Sequence, residues 1–238
     1  VLLLLSFMAC SSSKKADYPI QPVSFTQVKI DDRFWQSRME INRSVTIPSA
    51  FKKCEETGRI ANFEIAGGLR QGEFQSGRHY DDSDVYKIIE GAAYSLATFP
   101  DPELDTYLDD LIAKIAAAQE DDGYLMTWRT INPHKPPATS AGGPERWSNI
   151  THGHELYNVG HLYEAAVAHY RATGKKTLLN VAVKNADLIV KVFGPQGLRI
   201  PPGHQEIEIG LIKLYRVTGN KKYLDLERFF IDERGNAQ

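Results

Sequence analysis

The segment Thr151-His152-Gly153-His154-Glu155-Leu156-Tyr157-Asn158-Val159-Gly160-His161 is the densest run of imidazoles in the chain. On a helix, His154, Asn158 and His161 fall on one face, one and two turns apart. A zinc-protease helix needs its second His four residues after the first, where Asn158 stands, so metalloprotease chemistry is rejected. Two readings stay open: imidazoles that contact a ligand, or histidines hydrogen-bonded within the core.

A second cluster is Pro201-Pro202-Gly203-His204-Gln205-Glu206-Ile207-Glu208. Its Pro-Gly loop delivers His204 to a helix start, and Glu206 falls in the first turn. Glu206 is either a site residue or an acid serving the helix dipole, and the dipole role suits Glu208 better. The third is Tyr80-Asp81-Asp82-Ser83-Asp84-Val85-Tyr86-Lys87. Asp82 or Ser83 suits an N-cap, while the carboxylates, Asp82 and Asp84 among them, suit sugar hydroxyls or acid/base work. Gly67-Gly68 and Gly142-Gly143 have no phosphate-loop context and read as turns.

The elements that must carry these residues are helical. Ser83 to Thr98, Pro102 to Gln119, His154 to Thr173, Lys176 to Phe193 and Gln205 to Thr218 have apolar residues at helical spacing, bounded by Gly or Pro. Asp101-Pro102-Glu103 supplies an N-cap, a first-turn proline and an acid, ahead of an inner face of Leu104, Leu108, Leu111, Ile112 and Ile115. Only Val23 to Ile30 alternates enough for a strand. Tyr170-Arg171-Ala172-Thr173-Gly174-Lys175-Lys176 recurs as Tyr215-Arg216-Val217-Thr218-Gly219-Asn220-Lys221, with Leu179 and Leu224 in matching places. The interval is one helical hairpin with its loops, so stacked hairpins are expected, in a solenoid or a toroid. About seven or eight helices are expected. The long loop from Asp121 to Ile150, with Trp128 and Trp147, is of a kind that carries binding sites.

The 238 residues are 42% hydrophobic and 24% charged, which suits a globular domain and excludes disordered and fibrous classes. With 28 basic and 30 acidic residues the net charge is −2, and nothing draws the chain to nucleic acid. The apolar run Val1 to Ala9 is too short to span a bilayer and ends at Cys10 before Ser11-Ser12-Ser13-Lys14-Lys15. It resembles a lipobox with an atypical Phe7, in which Cys10 is acylated and anchors the protein to a membrane; an ordinary export signal cleaved nearby is the alternative. Either sends the chain out of the cytoplasm, to the periplasm or cell surface of a bacterium. The expected organisation is a signal remnant (1–10), whose upstream part is missing, a tether (11–24) and one helical domain (25–238).

Taken in order, Asp31-Asp32-Arg33-Phe34-Trp35, Glu55-Glu56-Thr57-Gly58-Arg59-Ile60 with Asn62-Phe63, Asp82-Ser83-Asp84-Val85-Tyr86-Lys87, Gln119 to Leu125, His154-Glu155-Leu156-Tyr157 with Gly160-His161, and Gly203-His204-Gln205-Glu206-Ile207-Glu208 resemble glycoside hydrolase family 127, which contains β-L-arabinofuranosidases and has family 146 as a near relative. The resemblance covers nearly everything after Ser24. It implies an all-α fold, the N-terminal portion of an (α/α)6 toroid whose cavity takes a terminal furanose. It also implies an oligosaccharide or polysaccharide substrate, with sugar contacts at His154 and His204. Asp82, Asp84, Glu155, His161 and Glu206 are further candidates for substrate binding. Where the family usually has Pro, this chain has Gln205, beside the loop that aims His204.

The family's nucleophile is a Cys thiolate held on zinc by further Cys and a Glu, with another Glu as acid/base, all from later in the barrel. Cys10 and Cys54 lie upstream of the site blocks and match none of those positions. The expectation is therefore the N-terminal part of a longer zinc glycosidase. It supplies sugar contacts, contains neither catalytic residues nor metal ligands, and is inactive alone. Two other classes fit the residues: a different α/α-toroid sugar enzyme, such as a uronyl hydrolase or epimerase, and a surface lipoprotein that only binds glycan.

Overall fold

The structure, a computed structural model, describes residues 19–135 and 143–236. Cys10, the signal remnant, tether residues 11–18, Pro136-Pro137 and Gly142 lie outside the described residues. Eleven α-helices follow one another among the described residues: α1 (Arg33–Ile41), α2 (Ile47–Glu56), α3 (Arg59–Ala66), α4 (Asp82–Thr98), α5 (Pro102–Ala118), α6 (Thr127–Ile131), α7 (Ile150–Gly153), α8 (Glu155–Thr173), α9 (Thr177–Val192), α10 (Ile207–Thr218) and α11 (Lys221–Arg234). The expected count was too low because α1 and α2, joined by a π segment, and the one-turn helices α6 and α7 have too few apolar repeats to register as helices. Val23 to Ile30 is not a strand. It contains a 3₁₀ turn at Phe25–Gln27 and has no neighbouring strand to pair with among the described residues.

The five periodic stretches fold as read, to within two residues. α5 starts where its sequence signals place it: the Asp101 carboxylate accepts from the Leu104 amide at 3.1 Å, and Leu108, Leu111, Ile112 and Ile115 are buried. The repeat is structural. Gly174 (φ 76°) and Gly219 (φ 71°) close α8 and α10 in the left-handed conformation, donating to the carbonyls of Tyr170 and Tyr215. The next helix then folds back, and Leu178 and Tyr223, both fully buried, are the equivalent core anchors. Leu179 is buried as well, whereas Leu224 is only half-buried.

α4, α8 and α10 pack side by side as an inner row. α5, α9 and α11 form an outer row, α5 against α9 and α9 against α11, and α8/α9 and α10/α11 are the hairpins that join the rows. α2 and α3 extend the rows on the α4/α5 side. The core between them is Val85, Tyr86, Ile89, Leu162, Tyr163, Leu211 and Leu214 against Leu108, Ile115, Leu178, Ala182, Ile189 and Phe230.

Two local expectations are corrected. Neither Asp82 nor Ser83 caps α4: the N-cap position is Asp81, whose side chain makes no cap bond to the helix. His154 is not the first residue of α8. It breaks α7 from α8 with φ 61°, left-handed backbone that costs a non-glycine residue about 1–2 kcal/mol, and it occupies the N-cap position of α8. Asn158 is fully buried, one turn into α8, where its backbone amide donates to the His154 carbonyl at 2.9 Å.

Candidate functional site

In the inner row, the N-terminal ends of α4, α8 and α10 come together, and the residues just before each end supply the rings of one cluster. Tyr80 lies 4.4 Å from His154 at an interplanar angle of 30°, and His79 lies 5.5 Å from it. His154 and His204, fifty residues apart in sequence, have ring centroids 5.0 Å apart. Tyr157, on the first turn of α8, touches both His204 at 5.0 Å and His161 at 4.7 Å. Three helix N-termini gathered at one spot give it a positive field, a setting for electron-rich ligand oxygens.

Hydrogen bonding sets the tautomers. His154 Nδ1 is 2.5 Å from the His152 carbonyl, which can only accept, so the proton of a neutral His154 is on Nδ1. Nε2 of His154 is then an acceptor, and His204 Nε2, 3.2 Å away, donates to it. Burial holds His154 below the ordinary imidazole range, with the nearby His204 and His152 rings acting in the same sense against the bond to the His152 carbonyl. A sugar hydroxyl entering between the two Nε2 atoms can replace the bond between them, accepting from His204 and donating to His154.

His79 belongs to this cluster and escaped sequence reading. It is buried, its Nε2 has no hydrogen-bond partner, and burial, followed by the proximity of His154 and Arg129, pushes its pKa to about 4. Its one signal was its place directly before Tyr80-Asp81-Asp82.

The acids divide. Asp82 is buried beneath the cluster and accepts from the Thr127 amide (2.8 Å) and hydroxyl (2.5 Å), pinning α6 to α4. Burial raises its pKa to about 6 against the lowering effect of those bonds. Glu155, also buried, accepts from the Tyr124 hydroxyl at 2.6 Å and the Trp147 amide at 2.9 Å, and burial raises its pKa. Both therefore anchor the Asp121 to Ile150 loop. Asp84 pairs with Arg59 Nε at 2.8 Å beside Lys87, whose Nζ donates to the Tyr157 hydroxyl at 2.6 Å. Arg59, Asp84 and Lys87 line a cleft of about 410 Å³ together with Lys53, Cys54 and Thr57.

Glu206 occupies the N-cap position of α10 but makes no cap bond. Its carboxyl turns to α8, where its Oε1 is 3.0 Å from His161 Nδ1 but out of line for a hydrogen bond, and it bonds Glu164. Glu164 pairs closely with Lys213 of α10, which reaches Glu90 of α4 at 3.2 Å. Burial first, then Glu164, raises Glu206 to about 8, and burial with the nearby Lys87 lowers His161 to about 4. Glu208 does more than serve the helix dipole, since Arg234 Nη2 holds it at 2.8 Å and also donates to the His204 carbonyl at 3.1 Å.

Among the described residues, two groups could present three metal ligands: Asp105, Asp109 and His169, and His161, Glu164 and Glu206. A lysine ammonium already sits against each, Lys175 at 2.7 Å from both aspartates and Lys213 beside Glu164. Neither contains a thiolate. Cys54, the cysteine among the described residues, is buried, and burial pushes its thiol up to about 11, against the effect of Arg59. These residues do not fit a zinc held by several cysteines.

Residues 27–238 match the family model described as the β-L-arabinofuranosidase GH127 catalytic domain. A non-reducing end β-L-arabinofuranosidase of Bifidobacterium longum subsp. longum is 44% identical over 178 residues, 74% of this chain and 26% of that protein. Among solved structures, a GH127 β-arabinofuranosidase superposes with a TM-score of 0.86 at 50% identity, covering 93% of this chain and 35% of its own. A GH127 β-L-arabinofuranosidase from Geobacillus stearothermophilus T6 superposes at 0.81 with 42% identity, covering 87% and 33%. The chain thus spans about a third or less of the length of these relatives, and its two rows of helices are the N-terminal portion of an α/α toroid.

Proposed function

The chain belongs to glycoside hydrolase family 127, and from that membership we propose that the whole protein removes terminal β-L-arabinofuranosyl residues from plant-type glycans. The observation that carries this is the ring cluster at the N-ends of α4, α8 and α10. It offers His154 and His204 to sugar hydroxyls and the rings of Tyr80 and Tyr157 to the furanose. The named activity of the relatives, two of them β-L-arabinofuranosidases, supports the sugar.

In this reading His154 and His204 bind and orient the sugar. Asp82 and Glu155 hold the loop walls behind them, and Asp84 with Lys87 sets the hydroxyl of Tyr157. Zinc, if the whole protein follows its family, activates a thiolate nucleophile by keeping it deprotonated at neutral pH. The described residues supply no such centre, so these 238 residues alone are expected to turn over no glycoside. We further propose that Cys10 is acylated and places the enzyme on the outer side of a bacterial membrane.

The test is turnover of a nitrophenyl β-L-arabinofuranoside by the full-length protein. His154→Ala or His204→Ala should lower kcat/KM by roughly tenfold or more, as expected for a lost bond worth about 1.5 kcal/mol, with melting little changed. Unchanged kinetics with a melting loss as large as that of a core deletion would make both histidines merely structural.

A further inference from the structure

His204 lies on an irregular segment, yet its ring is placed against His154 from fifty residues away, so something other than a helix must hold it. Three close approaches press the segment onto α7 and α8. A Cβ on Gly203 would stand 1.8 Å from the Thr151 carbonyl oxygen, and one on Gly160 would stand 2.7–2.8 Å from Glu206 and the Ile207 amide nitrogen. A Cβ on Gly210 would meet the Gly160 carbonyl at 2.8 Å. Arg234 of α11 holds the His204 carbonyl, and besides the His204 ring itself the side chain of the segment that crosses to α8 is that of Glu206, two residues past His204. It gives up the capping of α10 to meet His161 and Glu164, and the frame beneath it, Glu164 to Lys213 to Glu90, ties α8, α10 and α4 together.

Resting on the glycosidase reading above, we propose that the Glu164–Glu206 carboxyl pair is a positioning device for His204, fixing its imidazole against His154 for contact with the sugar. The pair works only while one proton is shared between the two carboxyls. The groups that face it are His161 from α8, Glu90 from α4, Lys213 from α10 and, acting on His161, Lys87. Among the described residues Lys213 is the ammonium bonded to this group, and it already balances Glu90 and Glu164. Loss of the shared proton sets Glu206 against Glu164 as two adjacent carboxylates, and the His204 segment loosens. Burial and the neighbouring Glu164 raise Glu206 to about 8, so the pair keeps its proton at neutral pH and loses it on the alkaline side.

Two variants separate positioning from bulk structure. Glu206→Gln keeps a donor toward Glu164 and cannot ionise, while Glu206→Ala removes the link. In the full-length protein, Glu206→Ala should lower kcat/KM on the nitrophenyl arabinoside by about tenfold. Glu206→Gln should recover most of that near pH 6.5 and lack the alkaline decline that the parent shows near pH 8. If Glu206→Ala does not fold, the pH profile of Glu206→Gln decides alone, and an alkaline limb with an unshifted midpoint overturns the proposal, as does equal kinetics for the Ala and Gln variants.

A readout that needs no turnover keeps the proposal separate from the choice of substrate. Crystals of the parent at about pH 6.5 should keep the 3.2 Å contact between His204 and His154, lose it at about pH 9, and keep it at both values in Glu206→Gln. A contact indifferent to pH in the parent refutes the positioning role, whatever sugar the enzyme cleaves.

Discussion

Replacing Gly160 by Ala adds one methyl group at the seam between α8 and α10. That Cβ would stand 2.7 Å from Cγ of Glu206 and 2.8 Å from both the Glu206 carbonyl carbon and the Ile207 nitrogen, where ordinary contact begins at 3.4 Å. The shortfall of about 0.6–0.7 Å falls partly on backbone atoms, so no rotamer change relieves it and the N-end of α10 must move by at least half an ångström or so. Overpacking of this kind costs about 1–3 kcal/mol, offset by about 1 kcal/mol from the better helix propensity of Ala, which leaves a net loss near 0–2 kcal/mol. His204 moves with the segment. A misplacement approaching 1 Å at a binding group can cost about a hundredfold, so kcat/KM should fall by roughly ten- to a hundredfold while the urea midpoint shifts modestly. Gly91→Ala is the control. It lies inside α4 with nothing within 4 Å of its would-be Cβ, and should stabilise by about 0.5–1 kcal/mol with kinetics intact. If Gly160→Ala keeps kcat/KM within about twofold of the parent, the seam does not place His204 and the reasoning fails.

Asp82→Ala strands the amide and hydroxyl of Thr127 in a buried setting and should cost about 2–3 kcal/mol in a urea titration. Because the folded state holds the Asp82 proton up to about pH 6 against 3.8 for a free side chain, stability from this group is present below pH 3.8 and lost as pH rises to 6; Asp82→Asn should flatten that slope, and an unaltered slope would assign it to another acid. Cys54, buried and with its thiol pushed up to about 11, should resist alkylation in the native protein near pH 8 when its peptide is followed by mass spectrometry, and Cys54→Ala should leave turnover unchanged. Turnover lost with Cys54 would make it the nucleophile after all. Cys10→Ala should abolish acyl labelling and membrane partition, and persistent labelling would place the lipid elsewhere or nowhere.

The sequence by itself determined whatever depends on neighbours within about one turn of helix. The α5 cap at Asp101, the glycine stops at Gly174 and Gly219 and the apolar spacing of α4, α8, α9 and α10 were legible because their causes are local. So was the order of the motif blocks, each of which is a short contiguous run of residues. Only tertiary structure decided which side chains meet. Asp82 passed for a cap because its true partner, Thr127, is 45 residues away. Glu155 looked like part of a histidine motif until Trp147 and Tyr124 closed over it. Spacing reads His154 as a helical residue, yet it stands at a left-handed break before α8, where its ring meets that of His204 from fifty residues away. His79 carried almost no signal, and Glu206 became a bridge to Glu164 because α8 and α10 approach at Gly160 closely enough to exclude a methyl group. Helix periodicity records which face is buried. It does not record against what, and the chemistry of this site lies in the latter.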